Sequence, residues 1–213
     1  MRRLLLAGLV LAAGCESAVI PPESGGVPYE YRLDVTPPQV LRWASGTEIR
    51  VYVADGDATL RRALESGMAA WNQHALFGEY RLAATTELAD ADVVLRWSTE
   101  AGTVDFTDCF PVNPRAVTTF CAAGDDVRDG LAVFPRVDGG ESRVRMLVSV
   151  LASEASNADV LVMHELGHVL GLMRHSDDAR DLMYDQLIQV TRPSRRDIAT
   201  VRLLYQMAPQ ILP

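Results

Sequence analysis

The stretch that most restricts how this chain can fold runs from Val160 to Leu172. It is apolar on almost every face of a helix: Val160-Leu161-Val162-Met163 leads in and Val169-Leu170 leads out. Yet it carries His164, Glu165 and His168. A helix that is apolar all round is a buried one. A polar group sealed into an apolar interior without a partner costs roughly 2–7 kcal/mol, so these three side chains need a purpose. Residues four apart share a helix face, so His164 and His168 can reach one ion. Glu165, beside the first histidine, can touch a metal-bound water without ligating the metal. Zinc prefers imidazole nitrogen and, in catalytic sites, keeps three protein ligands plus an open water position. The pattern predicts a helix over Asn157–Leu170, ended by Gly171, that presents two metal ligands from the interior.

His164-Glu165-Leu166-Gly167-His168-Val169-Leu170-Gly171 resembles the signature of the metzincin zinc metalloproteases, and of their matrixin branch in particular, in which HExxHxxG precedes a third histidine and a Met-turn. Met183, in Asp181-Leu182-Met183-Tyr184, matches the Met-turn. It follows His175 at the family's spacing, and Ser176 directly after that histidine also fits. Gly171 stands where the family's helix ends, and glycine permits the left-handed turn that redirects the chain.

The family pattern places two residues between that glycine and the third histidine. Here Leu172, Met173 and Arg174 intervene. The strict position is Arg174, which stays protonated and cannot bind zinc. Either a one-residue bulge delivers His175, or an acidic residue such as Asp177 substitutes. His175 is the preferred ligand, because the turn after the helix is a loop and loops absorb insertions. The resemblance implies one catalytic Zn2+ on His164, His168 and His175, Glu165 as general base, and Met183 packed beneath the site. A metallohydrolase with glutamate as third ligand ranks last, since no Glu follows Glu165.

Weaker likenesses to the same family extend from Arg42 to Tyr205. They are Trp43 with the run Ile49–Val53, Ala69-Ala70-Trp71, Asp90-Ala91-Asp92-Val93, and Arg196-Asp197-Ile198 through Leu204-Tyr205. Alternation predicts strands over Thr47–Val53, Tyr80–Ala84, Asp92–Trp97 and Val144–Leu151, with a short one from Leu131 to Phe134 ending at Pro135. Asp55–Asp57 signals a helix start, and Leu60, Leu64, Met68 and Trp71 follow at helical spacing to about Ala75. Pro193-Ser194 opens a last helix, Arg195–Gln206. The expected fold is α/β (α+β) and metzincin-like: a mostly parallel twisted sheet with an antiparallel edge strand, an active-site helix and a C-terminal helix. In that frame Leu131, Ala132, Val133 and Phe134 form the edge strand that pairs with a substrate backbone. No Ca2+ site is readable; Asp125-Asp126 and Asp177-Asp178 read better as solvated acidic loops. Leu64 and Trp71 are expected in the core, and His74 as a solvated helix-end residue.

Arg2 and Arg3 precede the apolar run Leu4–Ala13, which is too short to span a bilayer. The layout is that of a signal peptide over residues 1–14. Leu11-Ala12-Ala13-Gly14-Cys15 resembles a bacterial lipobox, which implies lipidation of Cys15 and a membrane-anchored, exported protein. An ordinary cleaved signal and a secreted protein is the alternative. Residues 15–40, rich in Pro, Gly and Ser, read as a flexible tether, and residues 41–213 as the catalytic domain. In an oxidising compartment the two other cysteines, Cys109 and Cys121, are expected to form a disulfide. A net charge of −8 argues against nucleic-acid partners. The expected partners are a peptide or protein substrate and the membrane that holds the lipid anchor, with the chain monomeric. The expected function is a zinc-dependent endopeptidase. The rival reading is a catalytically inactive, lipid-anchored binding protein that keeps a metzincin fold, motivated by Arg174.

Overall fold

The computed structural model describes residues 26–32, 37–38, 40–98, 121–122, 129–138, 141–186 and 190–209. β1 (Thr47–Val53) turns Ile49, Val51 and Val53 into the core. Helix α1 (Ala58–Asn72) starts where the Asp57 carboxylate accepts the amides of Thr59 and Leu60 at 2.9 and 2.8 Å. That cap satisfies two of the donors a helix start leaves open. Leu60, Ala63, Leu64, Gly67 and Trp71 form its buried face. Strands β2 (Tyr80–Thr85) and β3 (Val93–Ser98) follow, then β4 (Cys121–Ala122), β5 (Asp129–Asp138) and β6 (Glu141–Leu151). Helix α2 (Ala158–Val169) and helix α3 (Arg195–Gln206) complete the set.

One six-stranded sheet has the order β2-β1-β3-β6-β5-β4. The first four strands run parallel; β5 is antiparallel to β6, and β4 to β5. Parallel strands need crossovers, and α1 supplies the one from β1 to β2. The inner strands are apolar where they are covered: Val93 and Leu95 on β3, Met146, Val148 and Val150 on β6. α1 lies against α2, which is buried from Leu161 through Val169. Trp71 is fully buried and its indole N–H donates to Met163 O at 2.8 Å. The metal-motif helix therefore packs against both α1 and the sheet, and is not a surface helix. Among the described residues no helix is long and apolar enough to cross a membrane.

Three expectations change. β5 runs on through Pro135, which pairs with Val144. Among the described residues β5 has β6 alone beside it at that point, and proline is tolerated in a strand paired on one side. β5 is also not the outermost strand, since Cys121 and Ala122 pair with Ala132 and Leu131. Of the four expected edge residues, Val133 and Phe134 alone have no second strand beside them among the described residues. Finally, the tether is not free up to residue 40. Tyr29, Tyr31 and Val40 are core residues, packed with Leu41 and Trp43. Two aromatics in a Pro/Gly-rich stretch have enough apolar area to dock, each fully buried side chain of this size being worth roughly 1.5–3 kcal/mol. Cys15, Cys109, Asp125 and Asp126 lie outside the described residues, as does the expected signal peptide.

Candidate metal centre

α2 brings His164, Glu165 and His168 into the interior, at 7, 2 and 8 % exposure. The helix ends at Gly171, whose φ is +108°. A side chain there meets two obstacles: the left-handed backbone, and the Leu41 carbonyl oxygen, which a Cβ would overlap. Leu172 is buried in the turn that follows, and His175 comes back over the helix.

His168 meets both other imidazoles edge to face, and the His164 and His175 rings are tilted by 30° to each other. Ring centroids are 4.9 Å apart for His164–His168, 5.3 Å for His164–His175 and 5.0 Å for His168–His175. One ring nitrogen from each lies within 4.8 Å of the other two. His168 Nε2 and His175 Nε2 are 3.3 Å apart. Two nitrogens on one tetrahedral zinc, each about 2.0–2.1 Å from the ion, stand about 3.3 Å from each other. The donor set is thus the right chemistry at the right spacing for zinc. Asp177, the alternative ligand, is instead paired with Arg196 at 2.9 Å and is exposed.

Second contacts fix the rings. His164 Nδ1 faces Leu182 O at 2.8 Å, and His168 Nδ1 faces Leu172 O at 2.5 Å. A carbonyl only accepts, so each Nδ1 carries the proton and each Nε2 lone pair is left for a metal. Burial first, then the charges His164 and His175 would carry, push His168 well below the ordinary imidazole range, which keeps it neutral. Neutral imidazole is the form that ligates.

The Met-turn closes the site from below. Met183 is fully buried, and a Cβ at Gly167 would overlap its sulfur, so glycine between the two helix histidines is what lets the turn approach. Ser176, next to His175, donates its amide to Met183 O at 2.6 Å and pairs with Tyr184 as an isolated parallel bridge. The Ser176 hydroxyl donates to Asp181 at 2.5 Å, and Ser194 Oγ donates to the other Asp181 oxygen at 2.6 Å. Asp178 is held by Arg180, so the Asp177-Asp178 pair is engaged with arginines.

Sequence reasoning missed Asp197. This carboxylate is fully buried and accepts the amides of Leu182 (2.8 Å), Met183 (3.4 Å) and Ser194 (2.7 Å), and the Tyr29 hydroxyl (2.8 Å). Burial pushes it above the ordinary carboxylate range, against the pull of these hydrogen bonds. The one local signal is its place three residues after the Ser194 cap, where it completes a capping box. His74 follows α1 as expected but is only half-exposed, and burial, then Arg202, lowers its pKa.

No curated protein matches the chain. Among solved structures, a crystal structure of myroilysin is 10 % identical, covering 87 % of this chain and 93 % of that one with a TM-score of 0.43. A second myroilysin structure is 15 % identical over 63 % of this chain and 44 % of the other, with a TM-score of 0.33. Archaemetzincin from Methanopyrus kandleri is 12 % identical over 75 % of this chain and 97 % of that one, with a TM-score of 0.39. The sequence model of the family described as Matrixin matches residues 54–206, which takes in α1, strands β2 to β6, the three histidines, the Met-turn and α3. With more than two thirds of its length inside that match, the chain belongs to the matrixin peptidase family.

Proposed function

We propose that the protein is a zinc-dependent endopeptidase in which His164, His168 and His175 hold the metal and Glu165 is the general base. One observation carries the reading: His175 converges with His164 and His168 despite the extra residue after Gly171. Bound there, zinc supplies Lewis acidity, lowering the pKa of a coordinated water and polarising the scissile carbonyl. Glu165, one residue from the first ligand and 2 % exposed, takes the proton of the attacking water and returns it to the leaving amine. Met183 packs under the histidines and takes no part in bond making. Val133 and Phe134, which have no second strand beside them among the described residues, are the backbone positions offered for pairing with an extended substrate.

The test is paired. Purified protein is expected to carry about one zinc per chain and to cleave a denatured protein substrate. Glu165→Gln is expected to keep the zinc and lose hydrolysis by at least about 100-fold. Full activity in that variant refutes the base assignment. Zinc with no hydrolysis of any substrate by the parent supports the rival binding-protein reading instead.

We propose further that the chain is exported and anchored through a lipid on Cys15, and that Cys109 and Cys121 are disulfide-bonded. The lipobox-like run Leu11–Cys15 and the even pair of remaining cysteines support this. Metabolic acyl labelling that is lost in Cys15→Ala tests the anchor. A titration of the unfolded, unreduced protein that finds free thiols at both other cysteines rejects the bridge.

A further inference from the structure

Each helix histidine is oriented by a peptide unit, and both peptide units are held from behind by the same N-terminal segment. His168 Nδ1 donates to Leu172 O at 2.5 Å. The N–H of that same peptide unit, on Met173, donates to Tyr31 O at 2.9 Å. His164 Nδ1 donates to Leu182 O at 2.8 Å. The N–H of that unit, on Met183, donates to Asp197 Oδ1 at 3.4 Å, and Asp197 Oδ1 also accepts the Tyr29 hydroxyl at 2.8 Å. Two relays therefore start at neighbouring positions on one strand of chain and finish at the two rings.

The segment is seated firmly enough to act. Tyr29 N–H donates to Thr200 Oγ1 at 3.2 Å. Arg196 Nε donates to Val27 O at 3.2 Å, and its guanidinium lies 5.6 Å from the Tyr29 ring centre. Gly26 approaches the Arg196 backbone so closely that a Cβ would sit 2.7 Å from the Arg196 amide nitrogen. One relay passes through the three-residue stretch between Gly171 and His175, so the strap touches the part of the site where this chain departs from its family's spacing.

We propose that residues 26–32 are a positioning strap for the metal centre, with the Tyr29 hydroxyl as its side-chain anchor. The strap fixes the Leu172–Met173 and Leu182–Met183 peptides, and these fix the planes and tautomers of His168 and His164. Outer contacts of this kind set ring orientation and basicity, and their loss typically lowers metal affinity by about 10- to 100-fold. The proposal rests on the reading of the three histidines as a zinc site.

The experiment measures Zn2+ affinity of the full chain by competition with a chelating dye, and the visible spectrum of the Co2+-loaded form, which reports ligand geometry. Tyr29→Phe removes one hydroxyl from the relay. Tyr205→Phe is the matched control: its buried hydroxyl has no hydrogen-bond partner among the described residues and lies outside both relays. Tyr29→Phe is expected to weaken Zn2+ binding by about 10-fold and to alter the Co2+ spectrum. Tyr205→Phe is expected to leave both unchanged. Thr200→Val, which removes the acceptor of the Tyr29 amide, moves affinity in the same direction as Tyr29→Phe and serves where that variant fails to fold. Measurements are made below the unfolding transition of each metal-free protein. Parental affinity in both Tyr29→Phe and Thr200→Val overturns the strap. A parent chain that takes up no Zn2+ overturns the metal-centre reading itself, and the strap with it.

Discussion

Gly167 and Met183 touch across the floor of the metal site, with the methionine sulfur where a Cβ of residue 167 would be. Helix propensity alone favours Ala over Gly inside a helix by about 1 kcal/mol. Overpacking a buried contact opposes it by about 1–3 kcal/mol, and Trp71, 3.1 Å from the same point, blocks the sideways escape. Gly167→Ala is therefore expected to lower stability by up to about 2 kcal/mol net. Pairing it with Met183→Ala should restore part of that. Urea unfolding of the single and double variants measures the coupling; additive effects would show that the contact is not the cause.

His175, the proposed third ligand, is held in position by its neighbours on both sides. Ser176 N–H on Met183 O holds the chain just after His175, and Met173 N–H on Tyr31 O holds it just before. His175→Ala is expected to abolish tight Zn2+ binding. The double variant Arg174→His with His175→Ala restores the family's spacing on paper, yet it is expected not to recover binding, because the pinned loop keeps position 174 away from the other two rings. Recovery to within 10-fold of the parent in a dye-competition assay would show that the loop is slack.

Asp197 is a single side chain holding the Met-turn, the start of α3 and the strap. Asp197→Asn keeps the shape but replaces one acceptor oxygen with a donor. Leaving a buried amide unsatisfied costs about 1–3 kcal/mol. The variant is expected to lose at least about 2 kcal/mol by denaturant unfolding. A loss confined to Tyr29→Phe, with Asp197→Asn unaffected, would contradict the hub.

Acid should act on the strap through Glu30. The Arg32 side chain donates to its carboxylate and, with burial opposing, brings its pKa from 4.5 to about 2. A depressed acid contributes stability that is present above its unfolded value and lost as pH falls through its folded one. The window is therefore pH 4.5 down to about 2. Both side chains are nearly half-exposed, so solvent screening keeps the effect small. Asp197 works with the opposite sign: its raised pKa gives stability fully present below the unfolded value and lost as pH rises through the folded one. Urea midpoints of Glu30→Gln across the acid range should show a shallower fall than the parent. An unchanged slope would remove Glu30 from the account.

What could be read from the sequence was what local rules specify. β1 and α3 fall at Thr47–Val53 and Arg195–Gln206 as expected, because alternation and a serine cap act over a few residues. The His164/His168 pair was readable because helical spacing alone puts two residues on one face. His175 was legible as a choice between two answers, and only the turn at Gly171 decides which residue returns to the helix. Tyr29, Tyr31 and Asp197 were not legible. Their partners lie far along the chain, and nothing local distinguishes a tyrosine in a Pro/Gly-rich stretch from one that anchors a core. Pro135 misled for a related reason: whether a proline ends a strand depends on what lies beside it, which a single strand's residues do not encode.

The seating of Tyr29 also sets an order on synthesis. Its partners Asp197 and Thr200 lie 168 and 171 positions further on. A growing chain can form β1, α1 and the parallel pairs as they emerge, but it cannot close the strap until α3 has left the ribosome. If the strap completes the proposed centre, that centre is the last part of the fold to be finished, and a nascent chain has no completed site with which to act on its neighbours.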